Sequence, residues 1–427
     1  LQIASIVLEH QKLVSFMVTH STKPAGRSWL ILSLAFLATV INYADRQIIA
    51  LLKPLLQADL GWTDGDYAKL VSAFQLSAAL AFLGAGWFVD KVGVRRGYAW
   101  GVAVWSAAGA AHAFAVSLGQ FMVARVVLGA SEAVNTPAAV KTAVELFGTR
   151  HRSMAIGIVN AAPNVGAVLT PLLVPVLAIT FGWRKAFLFT GLAGFVWLAC
   201  WLLVKQPRSA VAVEQLNPIV AVPSWWSLLR SRQTWVVAVA KALADQVWWF
   251  LLFWMPDFLT KRFHLDLSHV GVPVASIYLM AALGSLSGGW LPGVLAKRAG
   301  SPAAGRKRAM LIYALLVTPL PLALLSHDLW MVVFILGVAL AAHQGFSTNI
   351  FGFAADTFPT GVLASVIGIG AFLGNLAGMA MLAFTGWVLH RGGGYLPMFL
   401  ISATSYLVAW VVLHYFPRTS SVIPHRG

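Results

Sequence analysis

About twelve separate runs of roughly 20 apolar residues succeed one another along the chain, and no other feature limits its fold as strongly. A run of that length, at 1.5 Å per residue, crosses a hydrocarbon core of about 30 Å. The runs begin near Trp29, Tyr67, Gly97, Gly119, Met154 and Lys185, and again near Thr234, His269, Arg308, Leu329, Gly361 and Tyr395. Inside lipid a spanning segment has to satisfy its own backbone polar groups, so each run is read as an α-helix. Only 10% of the residues are charged and 59% are hydrophobic, whereas soluble domains carry about a quarter charged. The expected fold class is therefore an all-α membrane protein of twelve transmembrane helices in two pseudo-symmetric six-helix bundles.

The net charge of +16 does not point to nucleic acid, because most of the basic residues stand in short loops between apolar runs, where they orient helices. With the amino terminus inside, roughly 19 Lys and Arg fall on the inner face and about 7 on the outer, which predicts a multi-pass protein of the inner membrane with both termini cytoplasmic. The loop at Asp356 to Gly361 lacks the expected basic residues. The longest polar interruption, with Pro207, Arg208, Pro218, Pro223, Arg230 and Arg232, divides six runs from six. The expected organisation is a tail at 1–28, a bundle at 29–205, a linker at 206–233, a second bundle at 234–416 and a tail at 417–427. The chain opens on Leu1, and the stretch to Lys23 has no secretory signal pattern; translation is expected to begin at Met17, leaving residues 1–16 as an extension. Cys200 is the one cysteine, so neither an intrachain disulfide nor a cysteine metal site is available, and it reads as a small hydrophobe. Gly157, Pro163, Gly166, Pro171 and Pro175 in the fifth span suit a helix that bends, since neighbours in a bundle satisfy a loosened backbone.

After the second span the chain reads Gly86-Trp-Phe-Val-Asp90-Lys91-Val-Gly93-Val-Arg95-Arg96, which resembles the loop signature of the major facilitator superfamily. The matching loop of the second half, Gly289 to Gly293 and on to Lys297-Arg298, keeps the glycines and the basic end without the aspartate. Asp90 can cap a neighbouring helix, and Arg95 or Arg96 can pair with Glu145; the set reads as a gate latch, with a plain orientation signal as the alternative. Asn42-Tyr43-Ala44-Asp45-Arg46 in the first span, with Arg125 and Glu132 in the fourth, resembles the anion:cation symporters of that superfamily. Lys241 to Trp254 in the seventh span and Ala342 to Asn349 in the tenth, with Arg306-Lys307-Arg308 before the ninth, narrow the likeness to bacterial hexuronate transporters. The likeness covers residues 29 to 416. It implies proton-coupled symport of a galacturonate- or glucuronate-like anion, with the proton as coupling ion and no other cofactor. Where that family has a tyrosine in the second span this chain has Ala78, and a polar residue common four positions on is Phe82; Gln75, one turn earlier, can supply the missing hydrogen bond.

Six ionisable residues lie within the runs, and the cost of placing them against lipid means that they pair or line a cavity. Arg46 is the choice for the substrate carboxylate, since a guanidinium matches it bidentately and stays charged; the bland alternative is a structural pair with Glu132 or Asp245. Glu132 and then Asp45 are the expected proton carriers, with Arg125 as the cation that biases them, because a carboxylate that meets a guanidinium in one access state and not in the other can load and unload a proton. Lys241 and Asp245, four apart, are close enough to pair directly, and are as readily structural as functional. Tyr43, Gln75, Asn160 and Asn164 supply polar groups for sugar hydroxyls from the first half. Gln344, Asn349 and Asn375 do so from the second. Trp248, Trp249 and Trp254 can offer a flat face to a sugar ring, or sit at the membrane interface. His343 and His112 read as satisfied interior histidines. No phosphate loop, histidine metal spacing or nucleophile elbow indicates an enzyme. The expected partners are a small organic anion and the bilayer, with no nucleic acid, no obligate protein and no metal. A different organic anion (an aldonate, dicarboxylate or aromatic acid) on the same fold is the near rival, and a transporter-like nutrient sensor the distant one.

Overall fold

The computed structural model describes residues 26–147, 149–205, 225–358 and 360–415. The expected start at Met17, both tails and most of the linker, with Lys23, Pro207, Arg208, Pro218 and Pro223, lie outside the described residues. Every regular element among those described is helical. The first half comprises α1 (Gly26–Leu60), α2 (Asp64–Val92), α3 (Val94–Ala111), α4 (Leu118–Glu132), α5 (Asn135–Leu146), α6 (Thr149–Phe181) and α7 (Trp183–Leu203). After the short α8 (Trp225–Arg230) the second half follows as α9 (Arg232–Phe263), α10 (Leu267–Ala299), α11 (Pro302–Val317), α12 (Leu329–Thr357), α13 (Thr360–His390) and α14 (Leu396–His414). The helix starts lie close to the expected ones, the widest offset being Pro302 against Arg308. Ten helices among the described residues are long and apolar enough to cross a membrane. The expected third and fourth spans, α3 and the pair α4–α5, fall outside that set.

The fourth span is split for a local reason. Pro137 has no N–H to offer the carbonyl of Ala133, and the helix opens at Ala133–Val134 between α4 and α5. Glu132 is thereby the last residue of α4. At the other end of α2, Gly93 takes a φ of 83° and returns its N–H to Val89 O, a left-handed conformation that glycine adopts without steric cost; this is the physical content of the glycine in the Gly86–Arg96 loop.

Each long helix has two unlike faces. In α2, Tyr67, Leu70, Val71, Phe74, Gln75 and Ala78 are buried, while Leu76, Leu80, Leu83 and Trp87, spaced by four, three and four residues, are exposed. In water that outer stripe would be a liability, and in lipid it is the natural covering. Lipid supplies no hydrophobic drive between helices, so their packing relies on close approach at small residues. A Cβ on Gly284 of α10 would overlap the backbone of Ala341 in α12. Gly284→Ala is therefore expected to cost about 1–3 kcal/mol through overpacking and to lower the melting temperature of the detergent-solubilised protein by several degrees; an unchanged melt would show that the two helices can move apart freely.

The halves meet along α2 with α13, α6 with α10 and α1 with α9. At the end carrying the α1–α2 turn, here the far end, the approach is very close: a Cβ on Gly386 would overlap Ala68, and one on Gly271 would overlap the carbonyl of Pro171.

Candidate transport site between the two halves

Arg46, 6% exposed, lies on α1 where the two halves meet. Its Nε stands 2.6 Å from Glu132 Oε2, which the break after α4 presents. The guanidinium carbon lies 5.3 Å from the ring of Tyr43, 5.7 Å from Phe74 and 5.7 Å from Trp249. Two of these rings come from the first half and Trp249 from the second, so the cation is held by both. Arg125 is fully buried, lies 5.8 Å from the Phe74 ring and donates from Nη1 to the backbone oxygen of Asp45 at 3.3 Å. The Asp45 side chain turns away from Arg46, against Gly109 of α3, and its carboxylate is buried there. Adjacent positions on a helix lie about 100° apart, and the two residues accordingly serve different surroundings.

Two hydrogen bonds cross between the halves at the same depth. Gln75 Nε2 donates to Asn375 Oδ1 at 2.5 Å, and Gln344 Nε2 to Asn164 Oδ1 at 3.1 Å. Four of the residues expected to meet sugar hydroxyls thus pair with one another across the cleft. Asn160 is exposed, one turn from Asn164 along α6.

Other expected residues turn elsewhere. Asn349 is buried inside the second half, where Nδ2 donates to Gly288 O at 3.0 Å and Gly345 O at 2.7 Å; it ties α12 to α10 and is withdrawn from the cleft. Trp248 stacks on His343 with ring centroids 5.1 Å apart and meets Tyr278 edge-on, so of the two adjacent tryptophans only Trp249 faces Arg46. Lys241 Nζ lies 2.5 Å from Asp245 Oδ1, within one helix as the spacing predicts. Gly374 of α13 leaves room for the Asp245 carboxylate, since a Cβ there would overlap it. His343 Nδ1 shares a 2.7 Å bond with Tyr406 OH, as expected of an interior histidine, and His112 Nδ1 bonds to Ala108 O.

The loop after α2 also pairs differently from expectation. Asp90 Oδ1 takes Lys141 Nζ at 2.5 Å, and Glu145 lies 4.0 Å from the same lysine. Arg95 donates to the backbone of Leu202 at 2.8 Å instead of serving Glu145. One turn of α5 separates Lys141 from Glu145, so Lys141 stands between Asp90, expected as a helix cap, and Glu145, expected as a partner of Arg95 or Arg96.

Sequence reading missed a second charged group. Lys53, wholly buried in α1, meets Asp64 and Asp257, each at 2.7 Å. The available signal was spacing: Lys53 follows Arg46 by seven residues, two turns along the same face. A recess of about 860 Å³ between α3 and α4, walled by Trp100, Val104, Phe114, Val123 and Val127, offers no charge to an anion and faces lipid.

A buried cation and polar amides in a seam between two helical halves define a membrane transporter, and the Major Facilitator Superfamily model matches residues 35–304, more than half of the chain. The chain belongs to that superfamily and is a multi-pass transporter, not an enzyme. Within the family it is similar to the hexuronate transporter of Escherichia coli (strain K12), at 28% identity over 421 residues covering 92% of this chain and 96% of that one. It is likewise similar to the galacturonate transporter of Dickeya chrysanthemi, at 31% identity over 285 residues, or 63% of this chain and 83% of that one. Among solved structures, a D-xylose-proton symporter superposes with a TM-score of 0.72 at 13% identity, covering 90% of this chain and 97% of that one, which is a likeness of fold.

Proposed function

We propose that this chain is a proton-coupled symporter that imports a hexuronate such as galacturonate or glucuronate across the inner membrane, working by alternating access between bundles at 29–205 and 234–416 with both termini cytoplasmic. The observation that carries the reading is Arg46, held in the seam by Glu132 and by rings from both halves. Its contact with Glu132 runs through Nε, and the Nη edge of the guanidinium has the two-pronged form that fits a carboxylate. The cross-seam amides favour a polyhydroxy acid over an aromatic one. Sugar hydroxyls can replace Gln75–Asn375 and Gln344–Asn164 bond for bond, and an exchange of hydrogen bonds costs little net free energy. An aromatic acid would leave the same buried amides unpaired, at about 1–3 kcal/mol each. The names of the similar transporters support the same substrate class.

Glu132 is the principal proton carrier in this reading and Asp45 the second. Arg46 cannot give full attention to both Glu132 and a substrate carboxylate, so substrate binding and protonation of Glu132 favour each other. Arg46, Arg125 and Lys241 balance Asp45, Glu132 and Asp245, and one proton would balance a singly charged sugar acid. Loading both carboxylates moves one net positive charge inward with each substrate, and the membrane potential then adds about 2.3 kcal/mol per 100 mV.

Counterflow into proteoliposomes preloaded with unlabelled sugar acid tests the substrate. Galacturonate and glucuronate are expected to drive exchange of labelled galacturonate, with galactonate and the dicarboxylate galactarate weaker and the neutral sugar galactose inactive. Strong exchange driven by galactose would reject the reading. Asp90→Asn tests the latch. The Asp90 side chain is 70% exposed, so loss of its pair with Lys141 is worth little stability; binding should stay within about twofold of the parent while the transport rate drops. Equal losses of binding and rate in a folded protein would move Asp90 from the latch to the site.

A further inference from the structure

Above Arg46, the far end of the seam is closed by four charges that alternate between the halves. Lys53 of α1 is wholly buried and lies 4.9 Å from the ring of Tyr67 and 4.3 Å from that of Trp254. Its Nζ is 2.7 Å from Asp64 at the start of α2 and 2.7 Å from Asp257 of α9. Lys261, one turn past Asp257, reaches Asp64 at 2.9 Å and Asp257 at 3.1 Å. Tyr67 OH donates to Phe253 O across the seam at 2.7 Å, and Tyr395 OH donates to Asp257.

The sign pattern separates a clasp from a permanent strut. Each half contributes one lysine and one aspartate. If the halves part at this end, Lys53–Asp64 stays within the first half and Lys261–Asp257 within the second, and each half remains neutral. The contacts that break are Lys53–Asp257 and Lys261–Asp64, whose charges pass from a dry seam into water. Neither half is left with an uncompensated buried charge, the condition that makes broken buried pairs so destabilising. A single cross-seam pair with no partner at home would lack this property.

We propose that Lys53, Asp64, Asp257 and Lys261 form the external gate of the transporter, closed here about 10 Å along α1 from Arg46, and that it opens by parting Lys53 from Asp257 and Lys261 from Asp64. The inference rests on the alternating-access reading, but its test uses neither substrate nor proton and so stands apart from the sugar-acid assignment.

Ser72 of α2 lies two turns beyond Asp64, and its hydroxyl donates to Met379 O of the other half at 3.5 Å, so it is half-buried in the seam while this end is closed. The reporter is Ser72→Cys in a Cys200→Ser background, since Cys200 is exposed, and the reading is the rate of reaction with a membrane-impermeant thiol reagent applied to one face at a time. Lys53→Met and Asp257→Asn are each expected to raise the rate from the outer face roughly tenfold. Lys69→Met, whose partner Asp66 lies on the same helix at 3.0 Å, is expected to leave it unchanged. Parent rates in both clasp variants would overturn the proposal. So would an equal rise from both faces, which would mark the four charges as supports of the fold.

Discussion

Arg46→Lys is expected to weaken galacturonate binding by about 2–3 kcal/mol, roughly 30- to 160-fold, the worth of hydrogen bonds to a charged group lost from a two-pronged contact. Lysine keeps the positive charge, so Glu132 is still opposed by a cation and the buried seam is not left with a lone carboxylate, which would itself cost about 3–5 kcal/mol. What lysine lacks is the planar fork and the weak hydration that lets a guanidinium lie among Tyr43, Phe74 and Trp249. The loss therefore reports on recognition more than on stability, and the melting temperature of the unliganded protein should stay within a few degrees of the parent. Equilibrium binding of labelled galacturonate to the purified protein measures it. An affinity within about threefold of the parent, well under 1 kcal/mol, would remove Arg46 from the carboxylate site and leave it as the structural partner of Glu132.

Glu132→Gln is expected to separate exchange from accumulation. The amide has the size and neutrality of the protonated acid, so the variant should bind substrate and exchange internal for external galacturonate. With one proton per substrate, a gradient of one pH unit supplies about 1.4 kcal/mol and raises the internal concentration about tenfold in the parent. In the variant that ratio should fall to about one if Glu132 is the sole carrier that responds to the gradient, and remain measurably reduced if Asp45 also loads. Accumulation at the parent level would exclude Glu132 from the proton path. Loss of exchange as well would assign the side chain to holding Arg46, through the 2.6 Å contact, and not to carrying protons.

The helices were legible in the sequence because a bilayer imposes one length and one secondary structure, and little else competes with those demands. Arg46, Glu132 and the Lys241–Asp245 pair were legible for a related reason: a charge inside an apolar run has few tolerable places to be. Direction was harder to read. Nothing local distinguishes Trp248 from Trp249, or Asn349 from Gln344, and the choice depends on which face of α9 or α12 meets the other half. Lys53 and Asp257 escaped notice because they lie in different halves, 204 residues apart in the numbering, and near helix ends where charges are usually solvated. The Asp90–Lys141 pair was not legible because Lys141 lies 51 residues further along the chain and only the fold brings α5 to the end of α2.

Uptake of labelled galacturonate into proteoliposomes containing the purified protein, with the interior one pH unit more alkaline than the medium, tests the central claim most directly. The account predicts a transient internal concentration well above that outside, abolished by a protonophore and absent for galactose. Uptake that merely equalises the two concentrations, with the same course whether or not the pH gradient is imposed, would contradict it.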